Sequence, residues 1–162
     1  MLIRDAVESD LPGILEIHND AIANSTAIWD ETLADLDERR RWLDSRRADG
    51  FPVLVADIDG EVAGYASYGV WRAKSGYRHT VENSVYVHND FHRRGIATAL
   101  MTALIERARA GGIHVIVASV ESTNTTSIAL HQRFGFRIVA QMPEVGRKFD
   151  RWLDMTYLQL NL

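Results

Sequence analysis

Cysteine is absent from all 162 residues, which excludes a disulfide frame, a thiolate nucleophile and a Cys-based metal site. No apolar run reaches membrane-spanning length, and the N-terminus lacks a signal peptide's charged-then-apolar pattern, so the cytoplasm is the expected compartment, with no membrane contact. Neither sign of charge dominates. The 18 basic and 22 acidic residues leave a net charge of −4, which argues against a nucleic-acid partner. There is no G-x-G-x-x-G and no G-x-x-x-x-G-K-[ST], so neither a Rossmann nor a P-loop reading survives. His18, His79, His88, His92 and His114 show no metal-ligand spacing such as H-E-x-x-H, and no metal is expected. No repeat, linker or low-complexity tract divides the chain. Residues 1–162 read as a single domain, long enough for a proper hydrophobic core.

What is present centres on Phe91-His92-Arg93-Arg94-Gly95-Ile96-Ala97-Thr98. Before it, Asn83-Ser84-Val85-Tyr86-Val87-His88 is rich in β-branched and aromatic residues and predicts a strand. After it, Ala97, Leu100, Met101, Leu104, Ile105 and Ala108 recur at helical spacing and predict one buried helix face. A glycine at a strand-to-helix junction, with arginines beside it, makes an anion site. There the first N–H groups of the helix lack intrahelical partners, the dipole favours negative charge, and no Cβ blocks approach. The same spacing also fits a basic surface turn.

The remaining elements follow in order. Leu2 to Val7 alternates as a short strand. Ser9 or Asp10 caps a helix through Leu11, Ile14, Leu15, Ala21 and Ile22, with Pro12 in its first turn. Asn24 to Thr32 reads as a loop and Asp35 to Arg47 as a solvated helix. Pro52 to Ile58 and Glu61 to Tyr68 flank Asp59-Gly60, a type I′ hairpin signal, and Gly69 to Arg78 reads as a loop. Gly111-Gly112 ends the central helix, and Ile113 to Val120 has the continuous apolar pattern of a strand buried on both faces. Asn124 caps a helix closed by Gly135; strands at Phe136 to Ala140 and Trp152 to Leu160 complete a mixed α/β fold around one sheet.

Two stretches carry a resemblance. His92-Arg93-Arg94-Gly95-Ile96-Ala97 is similar to the Q/R-x-x-G-x-G/A cofactor signature of the GNAT superfamily of acetyl-CoA-dependent N-acetyltransferases, with His92 departing from its first position. Asn124 to Phe136 is similar to that family's N-x-x-A-x-x-L-Y-x-x-x-G-F, departing at Ser127 and at His131, which stands for tyrosine. Three further stretches, Tyr65 to Arg72, Val81 to His88 and Gly146 to Asp154, resemble the phosphinothricin and L-methionine sulfoximine (methionine sulfone) acetyltransferase group. That branch usually has Glu-His-Ser where this chain has Glu82-Asn83-Ser84.

The resemblance implies a GNAT fold: a mixed central β-sheet, splayed at the cofactor site and flanked by about four helices. It implies acetyl-CoA as co-substrate, a small amino-acid-like acceptor, detoxification of such analogues as one use, and a homodimer. It places backbone groups of the strand Val85-Tyr86-Val87 on the pantetheine arm and Arg93, Arg94, Gly95, Ile96, Ala97 and Thr98 on the pyrophosphate. Asn124 bonds the cofactor or merely caps its helix. An α-amino group has a pKa of about 8 and is mostly protonated at neutral pH, so a base helps. Glu82 is the candidate base, or a plain strand-end carboxylate. His131 is the candidate acid for the departing thiolate, or a packed helix histidine. A free amino acid also needs a cation for its carboxylate, and Arg72 is the candidate, with Trp71, Ala73 and Lys74 around it and Glu82, Asn83 and Ser84 as the other wall. Trp29, Tyr77 and Phe149 line the side-chain end or belong to the core.

Overall fold

A computed structural model describes residues 1–162 as seven strands and four helices. The elements are β1 (Leu2–Asp5), α1 (Leu11–Asn24), α2 (Leu36–Ala48), β2 (Val53–Ile58), β3 (Glu61–Val70), β4 (Thr80–Val87), α3 (Ile96–Ala110), β5 (Val115–Glu121), α4 (Thr125–Arg133), β6 (Arg137–Lys148) and β7 (Arg151–Asn161). They form one sheet in the order β1-β2-β3-β4-β5-β7-β6. Every neighbouring pair is antiparallel except β4 with β5.

Helices cover both faces because the strands are apolar on both. On one face α3 buries Ile96, Leu100, Met101, Leu104, Ile105 and Ala108, and α4 adds Leu130, against Ala66, Val81, Ile116, Ala118 and Val120. On the other, α1 and α2 pack Leu11, Ile14, Ile17 and Leu43 on Val53, Val55 and Tyr65. Asp59 and Gly60, with φ of 54° and 89°, make the left-handed pair that a type I′ turn requires. No helix is long and apolar enough to cross a membrane.

Several boundaries differ from the sequence expectation. Strand β3 continues through Gly69 and Val70, which pair with Glu82 and Val81, so β4 starts at Thr80 rather than Asn83. Asp10 does not cap α1 with its side chain. Its carboxylate turns back to accept from the Val7 N–H and two Arg4 nitrogens. Helix α2 is only partly solvated. Arg39 is buried, its guanidinium 4.7 Å from the Trp42 ring centre, because a guanidinium can hide its stem while stacking on an aromatic face. Strand β6 runs to Lys148, well past Ala140, although it carries Pro143 and a register shift between Met142 and Gly146. An outermost strand tolerates both, since one edge needs no ladder partner.

Candidate functional site

Parallel pairing of β4 with β5 covers only Thr80, Val81 and Glu82, opposite Val115, Ile116 and Val117. Past Glu82 the strands part, and a cleft of about 810 Å³ opens between them. Glu82 to Val87 form one bank and Ala118 to Glu121 the other, with the first turn of α3 at the head and α4 along the floor. The His88 N–H bonds Ala63 of β3. Alternation along the strand therefore turns the backbone groups of Val85 and Val87 to the open side. The Val87 carbonyl accepts from His92 Nε2 at 3.1 Å, which gives His92 a structural place in the turn.

The head of the cleft is built for an anion. Arg93 and Gly95 are both left-handed, φ 63° and 76°. No side chain caps α3, and its hydrogen-bond ladder begins with Ala99 N–H on the Gly95 carbonyl. The N–H groups of Ile96, Ala97 and Thr98 therefore lack intrahelical partners, at the positive end of a 15-residue helix. A Cβ at Gly95 would meet no protein atom within 4 Å, so the space in front of it is open. These donors fit a pyrophosphate.

Sheet register sorts the side chains by face. Glu82 is aligned with Gly69 and Val117, and Tyr86 with Tyr65, so Glu82, Ser84, Tyr86, Ser119 and Glu121 share the α1/α2 face. Glu82 is half-buried at the point where the ladder stops, and its carboxylate makes no hydrogen bond or ion pair. Burial pushes the Tyr86 phenol above its usual range. Trp29 and Ala27 close this side. The Trp29 ring lies where a Cβ at residue 146 would fall, so only glycine fits there.

Asn83 turns the opposite way, into the α3/α4 core, with its amide nitrogen 3.0 Å from His131 Nε2. His131 is 5% exposed, its Nδ1 lies 2.8 Å from the Ser127 carbonyl, and burial pushes its pKa down. Asn124 lines the cleft; its Oδ1 accepts from the Ser127 N–H at 3.0 Å and caps α4, and its NH₂ group makes no hydrogen bond to protein.

The cleft thus brings together Glu82, Asn83, Ser84, Val85, Tyr86, Val87, Arg93, Gly95, Ile96, Ala97, Thr98, Asn124 and His131. Trp71, Arg72, Ala73 and Lys74 lie outside its lining, in the loop from β3 to β4. There the Arg72 guanidinium stacks 4.8 Å from the Trp71 ring centre, and Trp71 meets Tyr77 edge-on. Arg94 also stands outside, 5.1 Å from the Phe91 ring centre. Phe149 is half exposed at the β6–β7 turn and not in the lining.

Two residues of this region escape sequence reasoning. Glu121 is buried in the far bank and accepts from the Thr123 N–H and from the hydroxyls of Thr123 and Thr26. Lys148 is 1% exposed. Its ammonium donates to the carbonyls of Ile22, Ser25 and Ile28 at 2.5 to 2.8 Å, tying β6 to the loop that carries Ala27 and Trp29. Neither sits in a periodic apolar pattern, and their partners are far away in sequence. The resemblance of Gly146 to Asp154 was the only pointer to Lys148.

A family model described as acetyltransferase (GNAT) family matches residues 14–136. An L-methionine sulfoximine/L-methionine sulfone acetyltransferase from Pseudomonas aeruginosa is 60% identical, covering 99% of this chain and 94% of that protein. Among solved structures, a ribosomal-protein-alanine N-acetyltransferase from Brucella melitensis is similar with a TM-score of 0.99 and 50% identity over the whole of both chains. An acetyltransferase from Salmonella typhimurium, solved with its cofactor acetyl-CoA, is similar with a TM-score of 0.98 and 48% identity, covering 100% of this chain and 94% of that one.

Proposed function

The chain belongs to the acetyltransferase (GNAT) family, and from that premise we propose that it moves the acetyl group of acetyl-CoA to the α-amino group of a small amino acid or analogue, L-methionine sulfone and L-methionine sulfoximine foremost. The observation that carries the chemistry is the free carboxylate of Glu82 at the residue where the β4–β5 ladder ends. The named activity of the 60% identical Pseudomonas protein supports the choice of acceptor.

Acetyl-CoA supplies an activated thioester carbonyl. The N–H groups of Ile96, Ala97 and Thr98, with Arg93, hold the pyrophosphate; Val85 and Val87 hold the pantetheine amides through backbone groups, with Asn124 below. Glu82 takes the ammonium proton, directly or through one water, and frees the lone pair that attacks the carbonyl. An N–H on the open edge of β4 stabilises the oxygen as it gains charge. The C–N bond forms, the nitrogen gives up its second proton to solvent as the C–S bond breaks, and His131, once it has taken up a solvent proton at Nε2, passes that proton to the thiolate. Arg72, with Trp71, Ala73 and Lys74, is assigned to the acceptor's carboxylate, and Glu82 with Ser84 to the opposite wall.

A second copy of the chain is the partner this reading assigns. Strand β6 is the sheet's outer edge and exposes Ile138, Val139, Met142 and Val145, continued by Phe149 and Trp152. An apolar edge of that length invites pairing, and sedimentation equilibrium should give twice the chain's mass. The reading assigns the enzyme to the cytoplasm, with detoxification of amino-acid analogues as one use.

The Brucella relative's name favours a second reading, in which the acceptor is a peptide N-terminus. Thiol release from acetyl-CoA separates the two across a panel of free amino acids, methionine sulfone, methionine sulfoximine, phosphinothricin and alanine-initiated peptides. The free amino-acid analogues should give the higher kcat/KM. Preference for peptides, or acetyl-CoA binding without turnover of any acceptor, would reject the first reading.

A further inference from the structure

Asn83 on β4 and His131 on α4 meet inside the core, 8% and 5% exposed. The Ser127 carbonyl, 2.8 Å from Nδ1, can only accept, so Nδ1 carries a hydrogen. A neutral imidazole has a single N–H. Its Nε2 is then a bare lone pair, and the Asn83 group 3.0 Å away must be the NH₂. That orientation strands Asn83 Oδ1, which is buried without any hydrogen-bond partner. A buried polar atom left unpaired is rare enough in native proteins to need a reason.

Rotating the amide by half a turn puts Oδ1 against Nε2. Such an arrangement suits an imidazolium, whose Nε2–H needs an acceptor, and does not suit the neutral ring. We propose that Asn83 is a positioning residue for His131: a two-position amide that donates to the neutral ring at rest and accepts its Nε2–H once the ring takes up a proton. One proton binds at Nε2, and Nδ1 keeps its own on Ser127 throughout. No charged group competes for the ring. Glu82 of β4 and Glu121 of β5 hold the opposite face of the sheet, while Glu106, Arg107 and Arg109 of α3, Arg133 of α4 and Arg137 of β6 are exposed. The other neighbours are the Phe136 ring, edge-on at 5.0 Å, and Met101 Sδ, 3.5 Å from the Asn83 amide nitrogen. The link to turnover rests on the acetyl-transfer reading, in which His131 must carry an Nε2 proton to serve the thiolate. The proton positions themselves do not depend on it.

The test is nitrogen-15 NMR of the imidazole in the full chain, with His131 assigned by its loss in His131→Gln. At pH 7 the wild-type ring should show a protonated Nδ1 and a bare Nε2. Asn83→Asp places a carboxylate on Nε2, so both nitrogens should be protonated at pH 7. Asn83→Leu removes the acceptor, so the ring's titration midpoint should fall below wild type. Asp and Leu variants should differ by at least about tenfold in proton affinity, one pH unit, and the pH dependence of thiol release should move in the same order. A wild-type ring protonated on Nε2 alone overturns the proposal without any variant having to fold. Equal midpoints in all three proteins also overturn it, and pH–rate profiles that coincide while the midpoints separate overturn the positioning role. A protein that acetylates nothing yet shows the predicted ring states would instead reject the acetyl-transfer reading.

Discussion

Gly95 meets two demands at once: a left-handed backbone, φ 76°, and open space ahead of the first turn of α3. Gly95→Val fails both, since a β-branched residue strains that conformation by about 1–2 kcal/mol and its side chain enters the anion's space. The KM for acetyl-CoA should rise by roughly tenfold or more, the loss of about one charge-assisted hydrogen bond, with a smaller change for the amino acid. Calorimetric titration of acetyl-CoA into a folded variant with wild-type affinity would contradict the pyrophosphate assignment. Arg72 makes the complementary case. It is exposed on Trp71, so its value lies in the pair it forms with a carboxylate. Arg72→Ala should raise the KM for methionine sulfone by roughly 10- to 100-fold, as for one hydrogen bond to a charged group, and leave acetyl-CoA unaffected. The carboxamide of the substrate should erase the difference; if it does not, the carboxylate is held elsewhere.

At the scale of elements, periodic and capped segments were legible and non-local ones were not. The buried face of α3, the Asp59-Gly60 hairpin and the Asn124 cap each depend on residues within a turn or two, so local pattern finds them. Glu82 and His131 could be singled out by motif. That Asn83 and His131 touch depends on how β4 crosses α4, 48 positions apart in sequence, and no local rule gives that. The length of β6 was hidden for a similar reason: Pro143 and the left-handed Glu144, φ 54°, read as a terminus, while pairing with β7 carries the strand past them. Its last residue holds the acceptor side together. Lys148 spans α1, the loop Ser25 to Ile28 and β6 through three carbonyls, and burial pushes its pKa down. Lys148→Met leaves those carbonyls without their donor. It should cost about 2–4 kcal/mol in urea unfolding, and in the folded enzyme it should raise the KM of the amino acid more than that of acetyl-CoA. Equal rises in both would mean that Lys148 supports the fold generally and has no special hold on the Ala27–Trp29 wall.

For the molecule as a whole, buried histidines set how stability responds to acid. His18 Nδ1 faces two donors, the Tyr65 hydroxyl at 3.2 Å and Arg39 Nη1 at 3.4 Å. Burial, and after it the Arg39 charge, push its pKa down to about 4. Unfolded histidine titrates near 6.5. Between those values the unfolded chain binds more protons, so stability falls as pH drops from about 6.5 and levels off near 4. His131 acts in the same direction. Asp57, held below the usual carboxylate range by Arg4, adds a further loss at lower pH. The unfolding free energy of His18→Gln, from urea curves, should fall less steeply across the upper window, by on the order of 1 kcal/mol once solvent screening of a partly buried ring is allowed for. A slope identical to wild type would show that His18 is not held neutral.

Glu82 stands where the sheet opens, and the proposed chemistry turns on its carboxylate. The most direct measurement is kcat/KM for L-methionine sulfone at saturating acetyl-CoA, followed by thiol release across pH for wild type and Glu82→Gln. The substitution keeps the shape and removes the base, so the rate should fall by roughly 10²–10⁴ near neutral pH. The gap should narrow as pH climbs past about 8, where the amine arrives already neutral. Full activity with an unchanged pH profile in Glu82→Gln would contradict Glu82 as the base.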